Sequence, residues 1–327
     1  MLAHIVRRMY YAVLTLVIVS VLSFILINLP PGSYLDVYRA ELQAMGTSTA
    51  EKQIESLKKR YKLGAPIYVQ YWRWITGFVQ GDFGRSFQYN RPVGELIWER
   101  LSLTIAIALG TLIFTWAVAL PIGIYSAVHQ YTLGDNLFTL IGFLGLSIPN
   151  FLLALAIMVV AAIFFGQSVG GLFSEQYVDA PWSLGKFVDM LKHLWIPVIV
   201  VGTARTASLI RIMRGNLLDI LNKHYVQTAR AKGLKERIVI YKHAVRNALH
   251  PLIMQLGLAL PAILSGSTVV AIVLSLPTMG PLYFNALRSQ DMFLAGTFLM
   301  FMSALLIFGN LFADILLAWV DPRIRYE

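Results

Sequence analysis

Six apolar runs, at about 9–29, 102–128, 137–165, 194–214, 251–275 and 293–319, dominate this chain. A run of about 20 apolar residues makes a helix long enough to cross roughly 30 Å of hydrocarbon. Lipid supplies no hydrogen bonds to a bare backbone, so such a run has to be helical there. The pattern predicts an all-α, polytopic membrane protein with six transmembrane helices. Charged residues make up only 13% of the chain, about half of the roughly 25% of a soluble domain.

The formal charge of +10 does not imply nucleic acid, because Lys and Arg gather between the apolar runs and not along one soluble face. There is no cysteine, which excludes disulfides, thiolate nucleophiles and Cys-ligated zinc. Arg7 and Arg8 precede Met9–Leu29, an apolar stretch too long for a signal h-region, and Leu29-Pro30-Pro31-Gly32 offers no small-x-small cleavage site. It reads as an uncleaved first span. An even number of spans puts both ends on one side, and Arg7, Arg8, Arg323 and Arg325 make that side the cytoplasm. The segment from Arg211 to Arg246 agrees, since its many cations face only Asp219 and Glu236. The expected organisation is therefore 1–30, an N-terminal cytoplasmic end and first span; 31–101, a periplasmic segment with short interfacial helices; and 102–327, a core of five spans with a cytoplasmic loop at 215–250.

The outer segment is itself basic at Lys58, Lys59, Arg60, Lys62 and Arg73, which is tolerated because segments beyond about 60 residues translocate largely regardless of charge. Ala50 to Tyr61 has helical spacing, with Ile54 and Leu57 on one face. Leu63-Gly64-Ala65-Pro66 then stops one helix and starts another through Trp72, Trp74, Ile75 and Phe78. Those aromatics suit the membrane interface. Pro121, Pro149-Asn150, Pro197 and Pro261 interrupt four spans; each removes a backbone donor and frees a carbonyl. Kinked spans fit a moving transporter, although proline is also simply commoner in membrane helices.

Arg205, with Thr203, Thr206 and Ser208, lies deep in the fourth span, where a charge is costly unless paired or hydrated. Two readings stand: a lining residue of a translocation path, or a buried pair with an acid on a partner subunit. Asn310 and Asp314, one turn apart in the sixth span, read as a structural pair for the Arg211/Arg214 region. His193 and Trp195 read as an interfacial anchor; no second ligand at close spacing supports metal ligation. There is no G-x-x-x-x-G-K-[ST], no H-E-x-x-H and no protease-type aspartate pair. Gly266-Ser267 lacks the context of a serine nucleophile, so small-residue packing explains it. No catalytic residue and no metal site is expected.

The cytoplasmic loop carries the most information. Tyr225-Val226-Gln227-Thr228-Ala229-Arg230-Ala231-Lys232-Gly233-Leu234-Lys235-Glu236-Arg237 reads as a short helix with small residues, then a glycine for a sharp reversal, then a second basic helix through Arg246-Asn247-Ala248-Leu249-His250-Pro251. This loop resembles the EAA loop of ABC importer permeases of the oligopeptide/dipeptide branch, which read close to Y-V-x-T-A-R-A-K-G and R-N-A-L-x-P. Gly81-Asp82-Phe83-Gly84-Arg85-Ser86 is similar to that branch's G-D-x-G-x-S segment, Ser147-Ile148-Pro149-Asn150-Phe151 to its I-P-x-F motif, and Asp321-Pro322-Arg323 to its D-P-R ending. The N-terminal Arg7-Arg8 with Pro31-Gly32 also matches, so the likeness runs over nearly the whole chain.

The resemblance implies the type I ABC importer permease fold. It assigns docking on an ATPase to a coupling helix comprising Tyr225, Gln227, Thr228, Ala229, Arg230, Ala231, Lys232, Gly233 and Leu234, with Gly233 as hinge. Arg205, Pro149, Asn150 and Ser267 are the candidate residues of the translocation path, and the resemblance places Pro277 and Gly280 at an outer gate, where Ala271 and Thr278 depart from the family's acidic residue and first glycine. Gln227 likewise stands where the wider family often has Glu. The implied partners are a second homologous permease, two ATPase subunits, an external solute-binding protein and the bilayer of a bacterial inner membrane, with no nucleic acid. This chain would bind no cofactor, ATP and Mg2+ belonging to the partner subunits. The competing reading is a stand-alone secondary transporter or channel, which needs no ATPase dock and would carry ion-coupling acids within its spans. Peptides are the default solute; oligosaccharides, opine-like conjugates and nickel complexes stay open.

Overall fold

A computed structural model of the chain describes residues 2–28, 65–165, 170–256 and 268–320. Its helices are α1 (Leu2–Asn28), α2 (Ile67–Val79), α3 (Val93–Val128), α4 (Leu133–Ser147), α5 (Asn150–Phe165), α6 (Leu184–Leu221), α7 (His224–Ala231), α8 (Glu236–Ile238), α9 (Arg246–Ala248), α10 (Thr268–Val273), α11 (Met279–Arg288) and α12 (Met292–Val320). A π-helical stretch, Val239–Val245, joins α8 to α9. Among the described residues the only extended pairing is a bridge between Arg85 and Pro92. The all-α reading holds.

Within the described residues, α3, α6 and the Met292–Phe312 part of α12 are each long and apolar enough to cross a membrane, and α1 contributes an apolar stretch, Met9–Ile25. The third run, expected at 137–165, is not one continuous helix. It is two helices, α4 and α5, bent by 102°. Pro149 has no N–H to continue the α4 ladder and its ring forces the preceding residue out of helical geometry; Ile148 is extended accordingly. The fifth run falls partly on 257–267, and Pro31-Gly32, the helix at 50–61 and the D-P-R ending likewise lie outside the described residues.

The chain forms two compact units. The first comprises the described residues of Met1–Ser102 and Pro281–Ile307. Here α2 begins after Pro66, as the sequence predicted, and packs on α1. Phe24 of α1 meets Tyr71 and Trp74 at ring separations of 5.5 and 5.8 Å, and the Ser20 and Tyr71 hydroxyls are 2.8 Å apart. Trp74 is thereby only 4% exposed and packs within the unit, while Trp72 is 68% exposed and faces outward. Gly84 turns the chain at φ +76°, and a Cβ there would lie 2.6 Å from the Phe293 ring; only glycine fits both demands.

Asp291, immediately before α12, is fully buried. Its carboxylate accepts from Ser86 Oγ at 2.5 Å, from the Gln88 amide at 3.2 Å and from the Leu294 amide at 3.2 Å. One acid thus caps a helix and pins a turn some two hundred residues away in sequence. Burial pushes this carboxyl above the usual carboxylate range, against the pull of its donors. Asp291→Ala leaves those donors orphaned, which costs roughly 1–3 kcal/mol. Thermal unfolding in detergent should show that loss, with Asp291→Asn, a neutral near-isostere, milder.

The second unit comprises the described residues of Leu103–Gly280 and Phe308–Arg325, with α6 running through it. Cβ atoms added at Gly123 of α3 and Gly202 of α6 would lie 2.8 Å from Met213 and Phe114. Small residues let these helices approach closely, the usual route to helix packing in lipid. Toward one end Leu103, Ile107, Val200, Val201, Val270 and Leu274 form a core cluster. Toward the other, Ala119, Met213, Leu217, Val226, Val239 and Leu252 form a second.

Ionic contacts fix the ends of these helices. Asp135, 2% exposed, accepts from Arg214 Nε at 2.9 Å and Nη2 at 2.8 Å, and from the Tyr131 amide at 3.0 Å. The Asp135 carboxylate thus occupies the fork of Arg214, a partner that sequence spacing did not reveal. The side chain of Asp314 lies outside the described residues. Asp189 accepts from Ser174 N and Oγ at 2.7 and 2.6 Å, and Lys186 Nζ donates to the carbonyls of Val178 and Ala180 at 3.2 and 2.6 Å. The His193 ring nitrogen Nδ1 is 2.8 Å from the Asp189 carbonyl, one turn back.

Candidate docking elbow and span residues

Lys223 leaves α6 in an extended conformation and opens α7. Val226 and Ala229, three apart and hence on one face, are buried against Leu217, Val239 and Ala244. The opposite face presents Tyr225, Gln227, Thr228, Ala231 and Lys232 to the outside. The small residues are thus divided: Ala229 packs on the chain's own core, and Thr228 and Ala231 remain accessible.

Gly233 ends α7 at φ +73° with nothing within 4 Å of where a Cβ would stand. Its amide donates to the Arg230 carbonyl at 2.9 Å and the Leu234 amide to that of Ala229 at 3.4 Å. A left-handed residue here satisfies carbonyls that the helix end would leave orphaned. Across the elbow, Arg230 Nε and Nη2 donate to the Glu236 carboxylate at 2.7–3.2 Å. This contact holds the Glu236 carboxyl below the usual glutamate range and raises the Arg230 guanidinium.

Glu236→Gln should lower stability by at most about 1 kcal/mol, because the pair is exposed. The pair's contribution is present above the ordinary glutamate range and is lost as pH falls through the lowered value. Unfolding measured across that acid window checks both the size and the sign.

Three side chains tether the elbow to its surroundings. Gln227 Nε2 donates to the Leu221 carbonyl at the end of α6 at 3.2 Å. Asn247 Nδ2 donates to the Tyr225 hydroxyl at 3.0 Å and to the His243 carbonyl at 2.9 Å. Asn247 belongs to the R-N-A-L-x-P segment, so the two halves of the loop motif meet in space. The wide π-helical turn between them, with Val239, Ile240, Ala244 and Val245 buried, is something sequence spacing did not reveal.

The expected span-lining residues are not all brought together. Thr203 and Ala207 of α6 face Gly145 of α4, whose added Cβ would lie 3.0 and 3.6 Å from them. Arg205 stands two residues from each, about 200° round the helix at roughly 100° per residue, and so points away from that seam. It is half-buried and has no hydrogen-bond or ion-pair partner among the described residues. Pro149 is exposed and Asn150 half-buried at the bend. Ser267 lies outside the described residues. Pro277 follows a turn in which Ser275 has φ +52°, and Gly280 lies in the first turn of α11, beside Met279, whose amide donates to Thr104 Oγ1 at 3.0 Å. Gly280 packs on Thr268, 2.7 Å from where its Cβ would be.

Two family models match the chain. Residues 119–326 match the binding-protein-dependent transport system inner membrane component, and residues 1–108 match the N-terminal region of such membrane components. The chain belongs to this family. This permease component is 36% identical to the oligopeptide transport system permease protein AppB of Bacillus subtilis (strain 168), covering 100% of both chains. It is 33% identical to the oligopeptide transport system permease protein OppB of Haemophilus influenzae and 32% identical to the glutathione transport system permease protein GsiC of Salmonella typhimurium, again covering 100% of each. A multi-pass component of an inner-membrane transport system follows, in line with the resemblance noted from the motifs. Membership in a multi-component system sets aside the stand-alone carrier or channel.

Proposed function

We propose that this permease component forms half of an ATP-driven translocation path for short peptides, beside a second homologous permease, with two ATPase subunits and a binding protein outside. The peptide preference extends to this chain what its relatives' names state. Both termini lie in the cytoplasm in this reading, and six spans cross the bilayer. ATP and Mg2+ act at the ATPase subunits.

The elbow at 224–236 carries the proposal. Val226 and Ala229 pack its inner face against α6 and the π-helical turn, Gln227 and Asn247 tie its ends by hydrogen bonds, and Tyr225, Thr228, Ala231 and Lys232 stay accessible. A surface tied rigidly to a long span yet open to a partner suits force transfer: displacement of α7 moves α6 with it. Arg205, unpartnered in α6 among the described residues, would line the path or meet an acid of the second permease. Pro277 and Gly280 would shape the outer gate.

Reconstitution into liposomes tests this. The complete assembly should accumulate peptide only with ATP and binding protein present. Sustained accumulation by this chain alone would refute the proposal.

A further inference from the structure

Three polar side chains of α6 stand in a row on a side that its own chain leaves partly open. Arg205, Ser208 and Arg211 follow at three-residue spacing, so each is the surface neighbour of the next. The two arginines are six positions apart, about 9 Å along the axis. None of the three side chains makes a hydrogen bond or ion pair among the described residues. Arg205 and Ser208 are half-buried and Arg211 is exposed, so all three can be reached. Gly215, one turn further, is exposed with nothing within 4 Å of where a Cβ would stand. Other sides of α6 are taken: Gly202 and Met213 pack on α3, and Thr203 and Ala207 on α4.

Acyl chains offer these groups neither charge nor acceptor, and a charge within a span faces water or another polypeptide. Along α6 there is no acid between Asp189 and Asp219, so nothing on the helix offsets the two guanidinium groups. A fixed acid of a neighbouring subunit matches one guanidinium. Two of them, with a hydroxyl donor between, give one mobile carboxylate successive weak sites, the arrangement that lets a charged solute both enter and leave. Asp219, exposed at the inner end of α6, then repels it.

We infer that Arg205, Ser208 and Arg211 form a carboxylate ladder, and that the transported class is solutes carrying a free carboxylate, with Arg205 as the first rung. This rests on the proposed role of the chain as half of a translocation path.

The test uses the complete assembly in liposomes, with ATP and binding protein, and follows uptake of trialanine and of its C-terminal amide. Each solute is compared between variant and wild type, which cancels the binding protein's own preference. Arg205→Gln should lower trialanine uptake about tenfold, the loss expected for a charged hydrogen bond, and alter that of the amide less than about twofold. Arg205→Lys, which keeps the charge, should hold trialanine uptake within about threefold of wild type. Ser208→Ala, too small a change to endanger folding, should lower it about threefold and spare the amide. The second permease should co-purify with Arg205→Gln as with wild type. Equal loss for acid and amide overturns the inference. So does loss of the second permease on purification, which marks Arg205 as the partner of an acid there, and so does unchanged trialanine uptake in Arg205→Gln and Ser208→Ala. If the wild-type assembly takes up neither solute, the translocation reading itself falls, and the ladder with it.

Discussion

Gly233→Pro should abolish ATP-dependent uptake, with a fall of at least about tenfold, while the chain still reaches the membrane. Proline fixes φ near −65°, and Gly233 stands at φ +73° with its amide bonded to the Arg230 carbonyl. The substitution therefore removes both the turn and a donor. Gly233→Ala is the graded control: the space around the residue is open, so its cost is the backbone penalty of about 1–2 kcal/mol for a left-handed L-residue. Uptake and ATPase activity measured together in the reconstituted assembly separate loss of coupling from loss of assembly. Wild-type uptake in Gly233→Pro would remove the docking role.

The largest stability effect should come from Asp135→Ala. Asp135 is buried beneath Arg214, which meets it with two nitrogens. Removing one partner of such a pair leaves an uncompensated charge and costs about 3–5 kcal/mol. The Tyr131 amide loses its acceptor as well. Asp135→Ala should melt markedly lower in detergent, and combining it with Arg214→Leu should recover part of the loss because the stranded charge is gone. An unchanged melting temperature in Asp135→Ala would show that the pair is dispensable.

How much of this was readable beforehand depends on the range of the cause. Pro66 starting α2, and Gly233 turning the chain after α7, act through their own backbone, and both were legible from neighbouring residues. Pro149 signalled a break, yet nothing local specifies an angle of 102°. Asp135, which holds the fork of Arg214, lies 79 residues upstream of it, beyond the reach of any local spacing argument. Asp291 meets Ser86 across 205 residues. An acid just ahead of an apolar run was a visible helix-capping signal, but its burial depends on a turn that only the tertiary fold brings near. The elbow was partly legible: the short helix and the turn at Gly233 follow from local residues, whereas the inward turn of Ala229 depends on packing with Val239 and Ala244.

The corner between α4 and α5 bears on whether a solitary copy can persist. Its arms have 15 and 16 residues, about 22 and 24 Å at 1.5 Å per residue, each short of the roughly 30 Å of hydrocarbon. Pro149 offers no N–H, so the Gly145 carbonyl, four residues back, lacks its helical donor. Oily tails cannot supply substitutes, and Phe143, Leu144, Ile148 and Phe151 leave the corner open on the isolated chain. A companion protein or trapped water must close it, so copies made in excess of their companions should be the first that membrane proteases clear.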